Sequence, residues 1–75
     1  MPGTTAQLDT RGLNCPLPIL KTQQAIKRLG SGEVLEVTST DPGSTKDMVA
    51  FCEQTGHELI SSREDAGGYV FLIRK

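Results

Sequence analysis

The sequence predicts an α+β fold: a two-layer α/β sandwich of order βαβαββ, two helices packed on one face of a four-stranded mixed sheet. Three observations predict it. Four short segments alternate apolar and polar residues, the period of strands with one buried face. Two longer segments space apolar residues three and four apart, as in a helix with one apolar stripe. Glycine or proline punctuation separates them. Two strand–helix–strand units imply crossovers and partly parallel pairing, and two helices cover only one face of the sheet. At 75 residues the chain suits one domain with one core. A domain of this size buries only about 60% of its unfolded surface, so its stability margin is thin.

Taken in order, residues 1–5 read as a flexible tail and residues 6–75 as the single domain. Residues 6–10 (Ala-Gln-Leu-Asp-Thr) alternate and form the first strand, followed by a loop around Gly12. A helix is expected over 16–29, closed by Gly30-Ser31-Gly32. Its inner stripe is Ile19, Thr22, Ala25, Ile26 and Leu29. Leu17 and Leu20 fall on the opposite side, among Lys21, Gln24, Lys27 and Arg28. Residues 33–39 make the second strand, and residues 40–44 a turn. The second helix covers 44–55, with Met48, Val49, Phe51, Cys52 and Thr55 inward and Gly56 as its stop. Strands over 57–63 and 69–74 follow, joined by the hairpin turn Asp65-Ala66-Gly67-Gly68.

Composition excludes several classes. Eight basic against nine acidic residues leave a formal charge of −1, with two Phe, one Tyr and no Trp. Nucleic acid is bound chiefly by phosphate neutralisation, so no direct nucleic-acid contact is expected. The first residues lack the basic start and apolar run of a secretory signal, and no stretch approaches the ~20 apolar residues that span a membrane. A cytoplasmic location is expected. Two cysteines are too few for a disulfide scaffold, and both read as free thiols. There is no C-x-x-C and His57 is the only histidine, so no metal site is expected.

Cys15 is the residue that attracts chemistry. It falls where the cap of the first helix belongs, with Pro16 at the first helical position and Pro18 in the same turn. A helix N-terminus carries about half a positive charge and lowers the pKa of a thiol placed there. Pro18 has no N–H, which leaves the Leu17 N–H as the one first-turn donor for the sulfur. Against this, a lone cysteine before a helix is commonly a small buried hydrophobe.

The run Gly12-x-x-Cys15-Pro16-x-Pro18 resembles the signature of the TusA/SirA-like sulfur-carrier (sulfurtransferase) family. The likeness continues through Asp41-Pro42, Asp47, Phe51-Cys52, His57-Glu58-Leu59 and Leu72-Ile73-Arg74-Lys75, from about Leu8 to Lys75. The resemblance implies a βαβαββ sandwich that carries sulfur as a persulfide on Cys15. It further implies a cysteine desulfurase or rhodanese-type protein as donor and a DsrE-like protein as acceptor. The downstream routes it implies are tRNA thiolation, molybdenum-cofactor synthesis or dissimilatory sulfur metabolism. Leu17 departs from the best-known tRNA-thiolation members, which are acidic at this position, so the resemblance does not name the partners.

The expected chemistry is thiol–persulfide exchange, a sulfurtransferase-type step that requires no cofactor, metal or general acid. Both helices follow parallel strands, which places their N-termini along one sheet edge. Arg11, Lys46 and Ser44 are expected to border Cys15 there and favour its anion. Gly12, Pro16, Pro18 and Asp41 support the motif, Asp41-Pro42 through turn and cap chemistry. Leu17, Leu20, Arg11 and Lys46 are candidates for partner docking. Cys52 is expected to be buried and inert, the sharper alternative being a resolving partner for Cys15 within disulfide reach. His57 reads as structural or solvent-facing. The competing readings are a non-catalytic regulatory or interaction module with a structural cysteine, an RNA-binding βα domain, and a selenium-linked branch of the same family.

Overall fold

The structure is a computed structural model that describes residues 4–75. Residues 1–3 of the expected tail lie outside the described residues. Thr5 is already tied to the sheet, its N–H donating to the Val34 carbonyl at 2.8 Å. The elements are β1 (Ala6–Thr10), α1 (Leu17–Ile26), β2 (Val34–Ser39), α2 (Ser44–Thr55), β3 (Glu58–Asp65) and β4 (Gly68–Arg74). This is the expected βαβαββ order.

The sheet order is β1-β2-β4-β3, with β1 parallel to β2 and β4 antiparallel to both of its neighbours. Register follows from the period of two. Leu35 lies opposite Ile73 and Val37 opposite Phe71, and all four are fully buried. The residues between them, Glu36 opposite Leu72 and Thr38 opposite Val70, are half-buried on the other face. A one-residue slip would send the apolar set to the wrong side, so the pattern specifies the pairing.

Both helices pack on the Leu35–Phe71 face and contribute Ile26, Met48, Phe51 and Cys52 to the core. Ile19, Ala25 and Leu29 pack against it from α1. Thr22 is also buried on that stripe, its hydroxyl donating to the Pro18 carbonyl at 2.7 Å. Pro18 is buried too, so the motif proline anchors the first turn of α1 to the domain. The inner stripe of α2 is narrower than the spacing predicts, since Val49 is 43% exposed and Thr55 is exposed. Helix α2 packs near the edge of a small sheet, and only Ser44, Met48, Phe51 and Cys52 reach the interior.

Two boundaries shift by two residues or more. Helix α1 ends at Ile26 rather than 29, and the chain tightens through Arg28 N–H to Ala25 O and Leu29 N–H to Ile26 O, both 3.1 Å. The C-terminal residue closes this end: the Lys75 ammonium donates to the Leu29 carbonyl at 2.7 Å. A cation is favoured against the exposed carbonyls of a helix end. Strand β3 runs on to Asp65, which leaves Ala66 and Gly67 as a two-residue hairpin loop with φ of 51° and 80°. Two consecutive left-handed residues match the twist of the flanking strands. The pairing shifts between Leu59 and Ser61, and Ile60 is left 42% exposed. A bulge and a run of charged residues on an edge strand discourage pairing with other chains. No helix among the described residues is long and apolar enough to cross a membrane.

Candidate functional site

The site forms where the β1–α1 and β2–α2 loops meet. Both loops leave parallel strands at the same sheet edge, so residues about 26 positions apart come into contact. The first loop turns at Gly12, whose φ of +83° is strained for any residue with a side chain. The Gly12 N–H donates to Thr40 Oγ1 at 2.9 Å, and the Leu13 N–H to Thr10 O at 3.1 Å. The second loop is organised by Asp41. Its backbone carbonyl accepts the Ser44 N–H at 3.0 Å and the Ser44 hydroxyl at 2.6 Å.

The Asp41 carboxylate joins the loops. One oxygen accepts the Gly43 N–H at 3.1 Å and the other accepts the Cys15 N–H at 2.9 Å. Asp41 is therefore both the turn residue expected from Asp-Pro and the clip that fixes the backbone of Cys15. Cys15 itself is exposed, and the peptide bond to Pro16 is cis.

The helix-cap expectation needs correction by one residue. Pro16, not Cys15, occupies the cap of α1, with φ −96° and ψ 14°, and no side chain caps the helix. The Leu17 N–H, expected to reach the sulfur, donates to the Asn14 carbonyl at 2.8 Å. The sulfur thus lies just outside the helix end and gains no donor from its first turn.

The electrostatic expectation is reversed. The Sγ of Cys15 and carboxylate oxygens of Asp41 and Asp47 all lie within 4.8 Å of one another. Hydrogen bonding to the Asp47 carboxylate pushes the Cys15 thiol pKa up; partial loss of water and the charges of Asp47 and Asp41 push the same way. The cations expected to offset this are placed elsewhere. Arg11 forms an ion pair with Asp9 at 3.0 Å, and Lys46 lines a different hollow with Thr45, Val49, Ala50 and Glu53. Ser44 is buried beneath the turn and is spent on Asp41.

Beside Cys15 is a hollow of about 250 Å³ between α1 and α2. Pro16, Ile19, Ala50 and Phe51 supply apolar wall, Gln23 and Gln54 supply amides, and Asp47 supplies the charge. Leu17 and Leu20 are 43% and 45% exposed on the outer side of α1, as the sequence pattern predicts. Cys52 is buried in the core and unpaired, and burial pushes its thiol up. His57 is half-buried against the Phe51 ring, with centroids 5.7 Å apart.

Asp47 is the residue that spacing alone did not single out. Its position in the first turn of α2 is legible, but its approach to a sulfur 32 positions earlier depends on how the helices pack. Cys15, Asp41 and Asp47 could also offer three metal-ligand atoms. Both Asp41 oxygens already accept backbone N–H groups, which suits a hydrogen-bonded clip better than an open ligand set.

The family model for sulfurtransferase TusA matches residues 6–75. The chain belongs to the TusA sulfurtransferase family. It is 54% identical over 69 residues to the sulfur carrier protein TusA of Allochromatium vinosum, covering 92% of this chain and 91% of that one. It is 44% identical over 70 residues to the sulfur carrier protein TusA of Pseudomonas putida, covering 93% and 88%. The fold matches that of a SirA-like protein from Desulfitobacterium hafniense with a TM-score of 0.83 at 24% identity, over 93% of this chain and 96% of that chain. The family expectation drawn from the Gly12–Pro18 run is thereby borne out, as is the two-layer sandwich.

Proposed function

We propose that this protein is a sulfur carrier that accepts sulfur as a persulfide on Cys15 and passes it to an acceptor protein in a sulfur relay. The observation that carries the reading is an exposed cysteine in the Cys-Pro-x-Pro run of a TusA-family chain, while the second cysteine is buried. In the loading step the Cys15 thiolate attacks the outer sulfur of a donor persulfide. One S–S bond breaks, one forms, and the donor thiolate leaves. An acceptor thiolate later repeats the exchange on the Cys15 persulfide. The protein is thus a sulfurtransferase-type carrier with a transient covalent intermediate.

The donor in this reading is a cysteine desulfurase or a rhodanese-type protein, the acceptor a DsrE-like protein, and the setting the cytoplasm. Leu17 and Leu20, exposed one turn apart at the start of α1, are an apolar pair that suits docking of these partners. A regulatory module with a merely structural cysteine is the weaker reading, because a structural cysteine is expected inside the core.

Intact-mass spectrometry tests the proposal. The wild-type chain and Cys15→Ser are incubated with a desulfurase, cysteine and pyridoxal phosphate, and separately with a rhodanese and thiosulfate. A gain of one sulfur on the wild type alone, reversed by reductant, is expected. No gain from either donor refutes the carrier role.

A further inference from the structure

A carrier cysteine must react with a partner's sulfur, yet this one sits against two carboxylates. Around the hollow, α1 presents Ile19 and Gln23 and α2 presents Asp47, Ala50 and Gln54, while Asp41 of the β2–α2 loop brings a carboxylate oxygen within 4.8 Å of the sulfur. Among the described residues that line it there is no lysine, arginine or histidine. The free protein therefore has negative charge beside its reacting atom, and among the described residues that line the hollow no cation balances it.

The geometry points to Asp47 as the residue that sets both the reactivity and the charge preference of Cys15. It holds the free sulfur as the neutral thiol and favours a donor or acceptor that brings a positive side chain to the sulfur. This deepens the carrier reading above and rests on it. Asp41 is committed to the Cys15 and Gly43 N–H groups, whereas no backbone N–H among the described residues is bonded to the Asp47 carboxylate. Asp47 is therefore the freer of the two acids to meet the thiol or an incoming cation.

The consequence is a carrier guarded when alone. Exchange proceeds through the thiolate, so Cys15 must lose its proton before its sulfur attacks. The departing donor thiolate takes up a proton, and the exchange is redox-neutral. With Asp47 unbalanced, proton loss creates a third negative charge in a cluster 4.8 Å across. A partner's lysine or arginine placed against Asp47 removes that penalty at the moment of docking. The anionic persulfide formed on Cys15 meets the same carboxylates, so the loaded carrier gains from the same cation. Stray oxidants and neutral electrophiles bring no such charge and meet the less reactive thiol.

The test needs no natural partner. Mixed-disulfide formation at Cys15 is timed by intact mass for cystamine, a dication, and for bis(2-hydroxyethyl) disulfide, which is neutral. The cationic-to-neutral rate ratio of the wild type is compared with that of Asp47→Asn, so that the intrinsic reactivities of the two reagents cancel. A single exposed charge contact predicts a fall in the ratio of roughly 2- to 5-fold on neutralising Asp47. Asp47→Glu is expected to restore it. Asp47→Asn is also expected to react severalfold faster than wild type with neutral iodoacetamide at neutral pH. In the unmutated chain, about 1 M potassium chloride, where the screening length is about 3 Å, must lower the ratio in the same way. A ratio unchanged by Asp47→Asn, or by salt in the wild type, overturns the proposal. Persulfide loading of the wild type reports on the carrier reading separately.

Discussion

Replacing Asp41 by Ala removes the two hydrogen bonds that tie the Cys15 loop to the start of α2. The bonds are Cys15 N–H to one carboxylate oxygen at 2.9 Å and Gly43 N–H to the other at 3.1 Å. A protein hydrogen bond contributes about 0.5–1.5 kcal/mol net, so the pair contributes about 1–3 kcal/mol. Both bonds are exposed to solvent, which places the loss in the lower half, about 1–1.5 kcal/mol. For a domain of this size each kcal/mol moves Tm by about 4–8 °C, so a fall of roughly 4–12 °C is expected. Thermal unfolding followed by circular dichroism reads it directly. Hydrogen exchange at the Cys15 amide, compared between the two proteins, reads it locally, and faster exchange is expected in the variant. Asp41→Asn retains one acceptor and should fall between the two. A Tm for Asp41→Ala within about 2 °C of wild type, with unchanged Cys15 exchange, would refute the assignment of Asp41 as the clip.

Two further outcomes are expected. Asp9 is held at about 2, chiefly by hydrogen bonds from the Arg11 side chain and backbone. Arg11→Gln should return it toward the ordinary carboxylate value, as read by carboxyl NMR titration. A depressed carboxylate stabilises the fold above its unfolded pKa, and the contribution is lost as pH falls through the folded value. The stability advantage of wild type over Arg11→Gln should therefore be present above the ordinary carboxylate range and disappear as pH falls from there to about 2. In the second, Leu20→Glu places a charge in the exposed apolar pair on α1 and should weaken binding to the sulfur donor at least about 5-fold, equivalent to about 1 kcal/mol. Calorimetry against the donor that loads Cys15 checks this, and unchanged affinity removes Leu20 from the docking face.

Periodicity was enough to place every strand and helix, because Leu35, Val37, Phe71 and Ile73 alternate and Met48, Phe51 and Cys52 recur at helical spacing. These are local patterns, and burying them leaves few alternatives for so short a chain. Element ends were less legible. Helix α1 stops at Ile26, the chain tightens beyond it, and Lys75 bonds the Leu29 carbonyl there, a contact across 46 positions that no local pattern records. Val49 fits a helical stripe, but how far a stripe is covered depends on the width of the sheet beneath it.

The site divides in the same way. Cys15 at the head of a helix, exposed and framed by two prolines, could be read along the chain, and so could the turn at Asp41-Pro42. The charge around its sulfur could not. A helix end considered alone favours a thiolate, whereas the packed site favours the thiol. Parallel pairing of β1 with β2 carries both loops to one edge, where Asp41 takes the Cys15 N–H and Asp47 faces the sulfur. Two carboxylates within 4.8 Å outweigh a helix end that offers the sulfur no N–H, because Coulomb energy depends on separation in space rather than along the chain.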